Sequence, residues 1–370
     1  MSFGFYLPTR VFFGDDVLSK HDTLLAQSGH RALVITGRRS AITCGAMSDF
    51  ETAARRQGLS WVVFNEVPAN PTLDTVAAAV DLARREGIDL VIGIGGGSPL
   101  DTAKAVALLV PNRAPAGELY TAALPAPPLP LVAIPTTAGT GSEVTQHAVF
   151  TLPAQEIKKG FSDDRCFPRL AMVDSRYTYS LPPAITIDTA LDALTHATEG
   201  YLSRRATPLT DTLALEAVRL FAGQKAALLD GNLTPATRRD LMYASTLGGM
   251  VIAHTRTTIL HTLGYPLTYS YDIPHGRANG YLLAAYLDFV LPAQPLKVNN
   301  ILTALGMQSV AEIRALIQQL LPPAQQYPRA ELERMAALAA TNTGSLAATA
   351  RQATVEDLLN MLYLSLEQYA

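Results

Sequence analysis

Apolar residues in the first half of the chain come in short, nearly unbroken runs: 31–36 (RALVIT), 61–64 (WVVF), 90–94 (LVIGI) and 129–134 (LPLVAI). Between them lie stretches with helical spacing. In 73–86, Val76, Ala77, Val80, Leu82 and Ala83 fall roughly on one helix face. Polar–apolar alternation within the runs is weak, which predicts strands buried on both faces. Such strands belong to a parallel sheet with helices packed on each side. The opening MSFGFYLPTRVFFG carries no basic stretch followed by an apolar one, and reads as a first strand instead of a signal peptide.

The pattern changes near residue 180. From Leu181 (LPPAITIDTALDALTHATEGYL) strand signals stop, and Ala/Leu-rich helical spacing runs to the C-terminus, with Pro182–Pro183 as the entry to the first helix. The expected organisation is an α/β domain over 1–180, with a Rossmann-like parallel sheet, and an all-helical domain over 181–370. A chain of 370 residues exceeds what one core usually organises, which agrees with two domains. The Pro-rich 122–130 (AALPAPPLP) reads as a surface loop leading into a strand.

Composition narrows the function. The formal net charge is −3 and Lys and Arg form no stripe, so nucleic-acid and anionic-membrane partners are disfavoured. No apolar run reaches membrane-spanning length, and the expected location is the cytoplasm. Only 16% of residues are charged, which suggests surface hidden in an oligomer. Cys44 and Cys166 lack CxxC spacing and read as reduced structural thiols.

Two loops carry candidate nucleotide chemistry. In LVIGIGGGSPLDTAK (90–104) a buried strand runs through glycines into a helix, with Ser98 as the expected N-cap. Small residues let the backbone approach a ligand, and a helix N-terminus suits a pyrophosphate. The spacing departs from GxGxxG, since Ser98 stands at the third glycine. The second loop, AIPTTAGTGSEVT (133–145), follows another apolar strand and offers hydroxyls at Thr136, Thr137, Thr140 and Ser142. Two such loops at strand ends belong at the ligand crevice of an open α/β sheet. After RALVIT come Gly37, Arg38, Arg39 and Ser40, with no carboxylate for a ribose 2′-hydroxyl. Two arginines and a serine can hold a 2′-phosphate, which favours NADP(H), with NAD(H) as the alternative; a solvated basic turn is the other reading of the same residues.

The helical half contains a candidate metal site. Asp192 and His196, in ALDALTHATEGY, are four residues apart, which stacks them on one helix face about 6 Å apart. His261 and His275 follow in ILHTLGYPLTYSYDIPHGRANG, with Pro274 breaking the helical pattern. One carboxylate and three imidazoles suit a divalent transition metal such as Fe2+ or Zn2+, and suit neither Mg2+ nor Ca2+.

GGGSPLDTAK, PTTAGTGSEVT, DALTHATEGY and the His261/PHGRAN pair, in that order, together resemble the iron-dependent (group III) alcohol dehydrogenases. The resemblance runs from YLPTRVFFG to the C-terminal helices. It implies hydride transfer between NAD(P)(H) and a small alcohol or carbonyl compound, with Asp192, His196, His261 and His275 as ligands of the metal. It further implies that Gly95, Gly96, Gly97, Ser98, Asp101, Thr136, Thr137, Thr140 and Ser142 line the cofactor site. Lys159, after an expected hairpin, would contact the ribose. A homodimer is implied as well.

Two positions stand out against the family pattern. Tyr265 replaces a histidine that many members carry four residues after the third ligand; a phenol titrates near pH 10, so Tyr265 either relays a proton poorly or shapes the pocket. His254 precedes His261 by seven residues, about 10.5 Å along a straight helix, too far to share the metal. It contacts substrate or cofactor, or is a buried polar residue. Within the same superfamily the alternatives are a zinc-dependent polyol dehydrogenase and a maleylacetate-type reductase. The latter, like dehydroquinate-synthase chemistry, calls for basic residues around the metal, and only Arg277 is evident near His275. A non-catalytic nucleotide-binding relative is the reading from another class, and retention of all four ligands weighs against it.

Overall fold

In the computed structural model, which describes residues 2–155 and 157–366, the chain divides into two compact units. One is Tyr6–Leu181. The other starts at Pro182 and includes residues 2–5.

The first unit is built on a parallel sheet of six strands: β1 (Arg10–Phe13), β2 (Arg31–Thr36), β3 (Ser60–Phe64), β4 (Leu90–Gly95), β5 (Leu131–Pro135) and β8 (Leu170–Val173), in the order β1-β8-β5-β4-β2-β3. A separate antiparallel hairpin pairs β6 (His147–Leu152) with β7 (Ile157–Ser162). The longer helices of this unit are α1 (Ala46–Arg56), α2 (Leu73–Arg85) and α3 (Gly97–Asn112). The apolar runs are explained by the two cores they serve. In β2, Ala32 and Val34 face a core shared with Phe50 and Ala54 of α1, while Leu33 and Ile35 face a second core shared with Val76 and Val80 of α2 and Val106 of α3. Each fully buried aliphatic side chain contributes about 1.5–3 kcal/mol, so a strand apolar on both sides is stable only when both faces are covered. Helix α2 buries Val76, Ala79, Val80 and Ala83, and Thr72 caps it by accepting from the Thr75 amide. The fourth run, expected from residue 129, enters the sheet as β5 only at Leu131, since Pro130 has no N–H for a ladder.

Strand order places the reversal point of the sheet between β2 and β4. From β2 the chain goes outward to β3; from β4 it goes the other way, to β5 and then β8. Ligands of open α/β sheets bind outside the carboxyl ends of strands at such a point. Both candidate phosphate loops and the basic turn leave those ends: Gly37–Ser40 follows β2, Gly96 to Ser98 follow β4, and Thr136 to Ser142 follow β5.

The second unit is all-helical: α4 (Pro183–Leu202), α5 (Pro208–Gly223), α6 (Pro235–Thr255), α7 (Ile259–Tyr271), α8 (His275–Val290), α9 (Pro295–Leu305), α10 (Val310–Leu320), α11 (Arg329–Ala340) and α12 (Val355–Leu366), with shorter helices between. Helix α4 starts on a proline, whose missing N–H costs nothing in a first turn. It packs against α5, α6 and α8, and every residue from Ala190 to Leu202 is buried. A helix buried all round is expected to be apolar. This one instead encloses Asp192, Thr195, His196, Thr198 and Glu199. Buried polar groups require partners, so this inner stretch of α4 marks the place to look for chemistry. Among the described residues no helix is long and apolar enough to cross a membrane.

Candidate active site

Helices α4, α7 and α8 bring the candidate ligands together within the helical unit. Asp192 lies in the middle of α4, His261 in the first turn of α7 and His275 at the first position of α8. Donor atoms of Asp192, His261 and His275 all lie within 4.8 Å of one another. His196, one turn beyond Asp192, stacks its ring on His261 with centroids 4.6 Å apart, outside that tightest set.

The break between α7 and α8 is local chemistry. Asp272 adopts a left-handed conformation at the end of α7, and Pro274 precedes α8, where a proline forbids continuation of the helix. Contact between α8 and α4 is set by Gly276, where a Cβ would stand 1.9 Å from the Asp188 carbonyl oxygen. One turn up, the Asn279 amide donates to Asp192 Oδ1 at 3.1 Å and lies 3.2 Å from His275 Nε2. Next to Gly276, Arg277 grips both carboxylate oxygens of Asp188 at 3.0 Å.

His261 has one nitrogen satisfied and one not. Its Nδ1 meets the Glu199 carboxylate, and its Nε2 is buried without a hydrogen-bond partner, 3.6 Å from Asp192 Oδ1. An orphaned buried nitrogen costs about 1–3 kcal/mol unless something occupies its lone pair. The donor set, one carboxylate with imidazoles, fits Fe2+ or Zn2+. Electrostatics agree. Burial alone would drive His261 toward its neutral form, but the Glu199 and Asp192 carboxylates override this and lift its pKa to about 9. Burial would likewise raise Asp192, yet His196, His261 and His275 hold it well below the usual carboxylate range. Such a centre of negative charge awaits a cation, whether proton or metal.

Tyr265 and His254 belong to different helices. Tyr265, on α7, stacks on His275 with centroids 5.5 Å apart and planes 8° apart. His254 is near the end of α6, not on a common helix with His261, because the chain leaves helical geometry at Arg256 (φ 58°) before α7 begins. The straight-helix distance for that pair therefore does not apply. The His254 ring stacks on Phe5 at 4.0 Å, and its Nδ1 lies 2.8 Å from the Met250 carbonyl.

In the α/β unit the two glycine and hydroxyl loops abut. A Cβ on Gly96 would stand 3.0 Å from Thr137 Oγ1, and one on Gly97 would stand 2.9 Å from Thr140 Cγ2. Gly96, Gly97, Thr137 and Thr140 remain partly accessible, whereas Gly95, Thr136 and Ser142 are buried. Ser98 is not the N-cap of α3. That position is Gly96, no side chain caps the helix, and the Ser98 hydroxyl donates to the Ala69 carbonyl at 2.6 Å. The helix starts two residues earlier than expected, and Gly95 just before it takes φ +155°, where any Cβ would strike Pro99. The first-turn amides of α3 are thus left for an anion.

Beneath the loops lies a polar network that pattern reading did not find. Asp101 accepts from Ser142 Oγ at 2.7 Å and the Val149 amide at 2.9 Å, so its carboxylate holds the second loop and the hairpin. Fully buried Lys104 donates to Ser142 Oγ, Thr145 Oγ1 and the His147 carbonyl, 3.6 Å from Asp101 Oδ1. Burial pushes its ammonium below the usual range, opposed by Asp101. Lys159 lies within the second strand of the hairpin instead of after it, exposed, with Nζ 4.6 Å from the Tyr120 ring centre. Arg38, Arg39 and Ser40 are exposed at the end of β2. Cys44 and Cys166 are free thiols, and burial pushes Cys166 up to about 12, which leaves it unreactive.

Comparison with known proteins covers nearly the whole chain. Residues 8–175 match the family model described as iron-containing alcohol dehydrogenase, and residues 186–365 match that of the Fe-containing alcohol dehydrogenase family, C-terminal. The 1,3-propanediol dehydrogenase of Citrobacter freundii is 35% identical over 312 residues, 82% of this chain and 79% of that protein. The lactaldehyde reductase of Escherichia coli is 30% identical over 82% of this chain and 79% of its own length. An iron-containing alcohol dehydrogenase from Thermotoga maritima superposes with a TM-score of 0.92 at 37% identity, covering 99% of this chain and 100% of that one. A sulfoacetaldehyde reductase from Bifidobacterium kashiwanohense, solved with NAD+, superposes with a TM-score of 0.88 at 27% identity, covering 99% of each chain.

Proposed function

This chain belongs to the iron-containing alcohol dehydrogenase family, and on that premise we propose how its own residues divide the work of an alcohol and aldehyde oxidoreductase. Asp192, His196, His261 and His275 hold one divalent cation, Fe2+ in the first instance and Zn2+ as the alternative. The observation that carries this reading is the buried, unpartnered Nε2 of His261 beside the Asp192 carboxylate. When bound, the cation supplies Lewis-acid polarisation of the substrate oxygen, and the dinucleotide supplies or accepts the hydride.

The remaining roles fall to side chains already placed. Gly96, Gly97, Thr137 and Thr140 receive the pyrophosphate and its neighbours, and Asp101 with Ser142 keeps the second loop in position. Gly95, Ser98 and Thr136 shape the turns that present them. Arg38, Arg39 and Ser40 take a 2′-phosphate, so NADP(H) is the favoured dinucleotide, with Lys159 near the ribose. Tyr265 shapes the substrate side of His275, the stacked ring fixing the imidazole plane. His254 positions the N-terminal residues through Phe5.

Substrate class follows from charge. Arg277, the cation nearest His275 in sequence, is spent on Asp188. That supports an uncharged substrate, a short aldehyde or diol like those in the names of the propanediol and lactaldehyde relatives, over a sulfonate or carboxylate-rich one. The reading includes a cytoplasmic homodimer, which light scattering of the purified protein checks.

The test is a panel of short aldehydes and diols assayed with NADPH and NADH, after reconstitution with Fe2+ or Zn2+. The expected result is metal-dependent turnover of uncharged substrates with NADPH preferred. Turnover that survives exhaustive chelation contradicts the metal role, and equal or better efficiency with NADH contradicts the cofactor preference.

A further inference from the structure

Glu199 is a carboxylate enclosed on all sides within the helical unit, seven residues along α4 from Asp192. An ionised carboxylate in such a place is costly unless donors surround it. Its Oε1 accepts from the Thr258 amide at 2.8 Å, the Thr258 hydroxyl at 2.5 Å and, at 3.4 Å, the His261 amide. Thr258 is the N-cap residue of α7 and makes no side-chain cap of its own. One carboxylate oxygen therefore serves the open amides at the start of α7, where negative charge is favoured. The other oxygen, Oε2, meets His261 Nδ1.

The second contact has a chemical consequence that capping does not. A carboxylate only accepts, so the proton of neutral His261 must reside on Nδ1, which leaves the Nε2 lone pair bare. Nε2 is the nitrogen buried without a hydrogen-bond partner beside Asp192. We propose that Glu199 is the positioning residue of the metal centre: through His261 Nδ1 it fixes the imidazole tautomer and plane that turn Nε2 toward the cation, and its charge strengthens that nitrogen as a donor. Partners of this kind usually change metal affinity by 10–100-fold when altered. The inference rests on the metal reading above.

Glu199→Gln separates positioning from capping. A glutamine that keeps Oε1 on the Thr258 amide presents its NH2 to His261 Nδ1. The imidazole proton then moves to Nε2, against the metal. The measurement is Zn2+ affinity by competition with a chromophoric chelator, with the visible spectrum of the Co2+-substituted protein as a second readout. The expected result is 10–100-fold weaker Zn2+ binding and an altered Co2+ spectrum in a variant that remains folded by circular dichroism, its metal-free Tm lowered by loss of the buried pair with His261. Parent-like affinity and spectrum in the variant overturn the proposal. Failure of the parent protein itself to bind Zn2+ would instead overturn the metal centre. Should Glu199→Gln not fold, 15N spectra of histidine-labelled, Zn2+-loaded parent protein decide the matter. A proton on Nδ1 of His261 supports the role, and a bare or metal-bound Nδ1 overturns it.

Discussion

Gly276 lies so close against α4 that a methyl group on it would stand 1.9 Å from the Asp188 carbonyl oxygen and 2.9 Å from Asp192 Cβ. The glycine is thus the spacer that lets His275, its neighbour in sequence, share a centre with Asp192. Backbone cannot give way as a flexible side chain can, so Gly276→Ala must move α8 off α4. Overpacking of this kind costs about 1–3 kcal/mol, and the expected result is a lowered Tm together with weaker metal retention. Thermal denaturation and metal analysis of the same preparation check it.

Metal loading is expected to depend on pH through His261. In the metal-free protein its pKa is raised to about 9, so stability from its pairing with Glu199 and Asp192 is fully present below about 6.5 and lost as pH rises through 9. A cation needs that proton gone. Affinity for Zn2+ is therefore expected to rise with pH from neutrality and level off above about 9, with proton release on binding. Calorimetry in buffers of different ionisation enthalpy measures the released proton directly; binding without release below pH 8 would count against the assignment.

Lys104 and Asp101 tie α3 to the second loop. Lys104→Met leaves the half-buried Asp101 without its cation and takes a buried donor from Ser142 and Thr145, which costs about 1–3 kcal/mol. Denaturant unfolding should show this loss. In the variant that still folds, KM for the dinucleotide should rise more than kcat falls, because the loop that receives it loses two anchors at Ser142 and Thr145.

Arg38→Ala and Arg39→Ala test the dinucleotide preference. Each is expected to lower kcat/KM with NADPH by roughly tenfold, the low end for a charge-assisted bond because both side chains are exposed, and to leave NADH nearly unchanged. A parallel fall with both dinucleotides would show that neither arginine meets a 2′-phosphate.

How far such features can be read before a structure depends on whether they leave a local trace. Strands β2, β4 and β5 are legible because burial on both faces demands unbroken apolar runs. Strand β8 (LAMV) is only four residues and resembles any short apolar stretch. A hairpin is expected before Lys159, but its second strand, IKKGFS, has too little apolar character to mark its bounds, and Lys159 falls inside it. In the site, helical spacing places Asp192 and His196 on one face, but it says nothing of which distant histidines approach that face. Glu199 and Asn279 are invisible for the same reason: their partners lie 62 and 87 residues away. Periodicity cannot distinguish a carboxylate enclosed by donors from one in water. The GGGSPLDTAK motif includes Lys104, but only the fold shows that its ammonium turns inward. Ser98 misled as a helix cap because the helix starts early, just after the extreme φ of Gly95.

The central claim is that one cation binds among Asp192, His196, His261 and His275. Anomalous scattering recorded at the iron edge, from crystals of protein reconstituted with Fe2+, tests it most directly. The account predicts a single strong peak at bonding distance, about 2.0–2.2 Å, from an Asp192 oxygen and from imidazole nitrogens that include His261 Nε2. A peak elsewhere in the chain, or none at full occupancy of added iron, would contradict it.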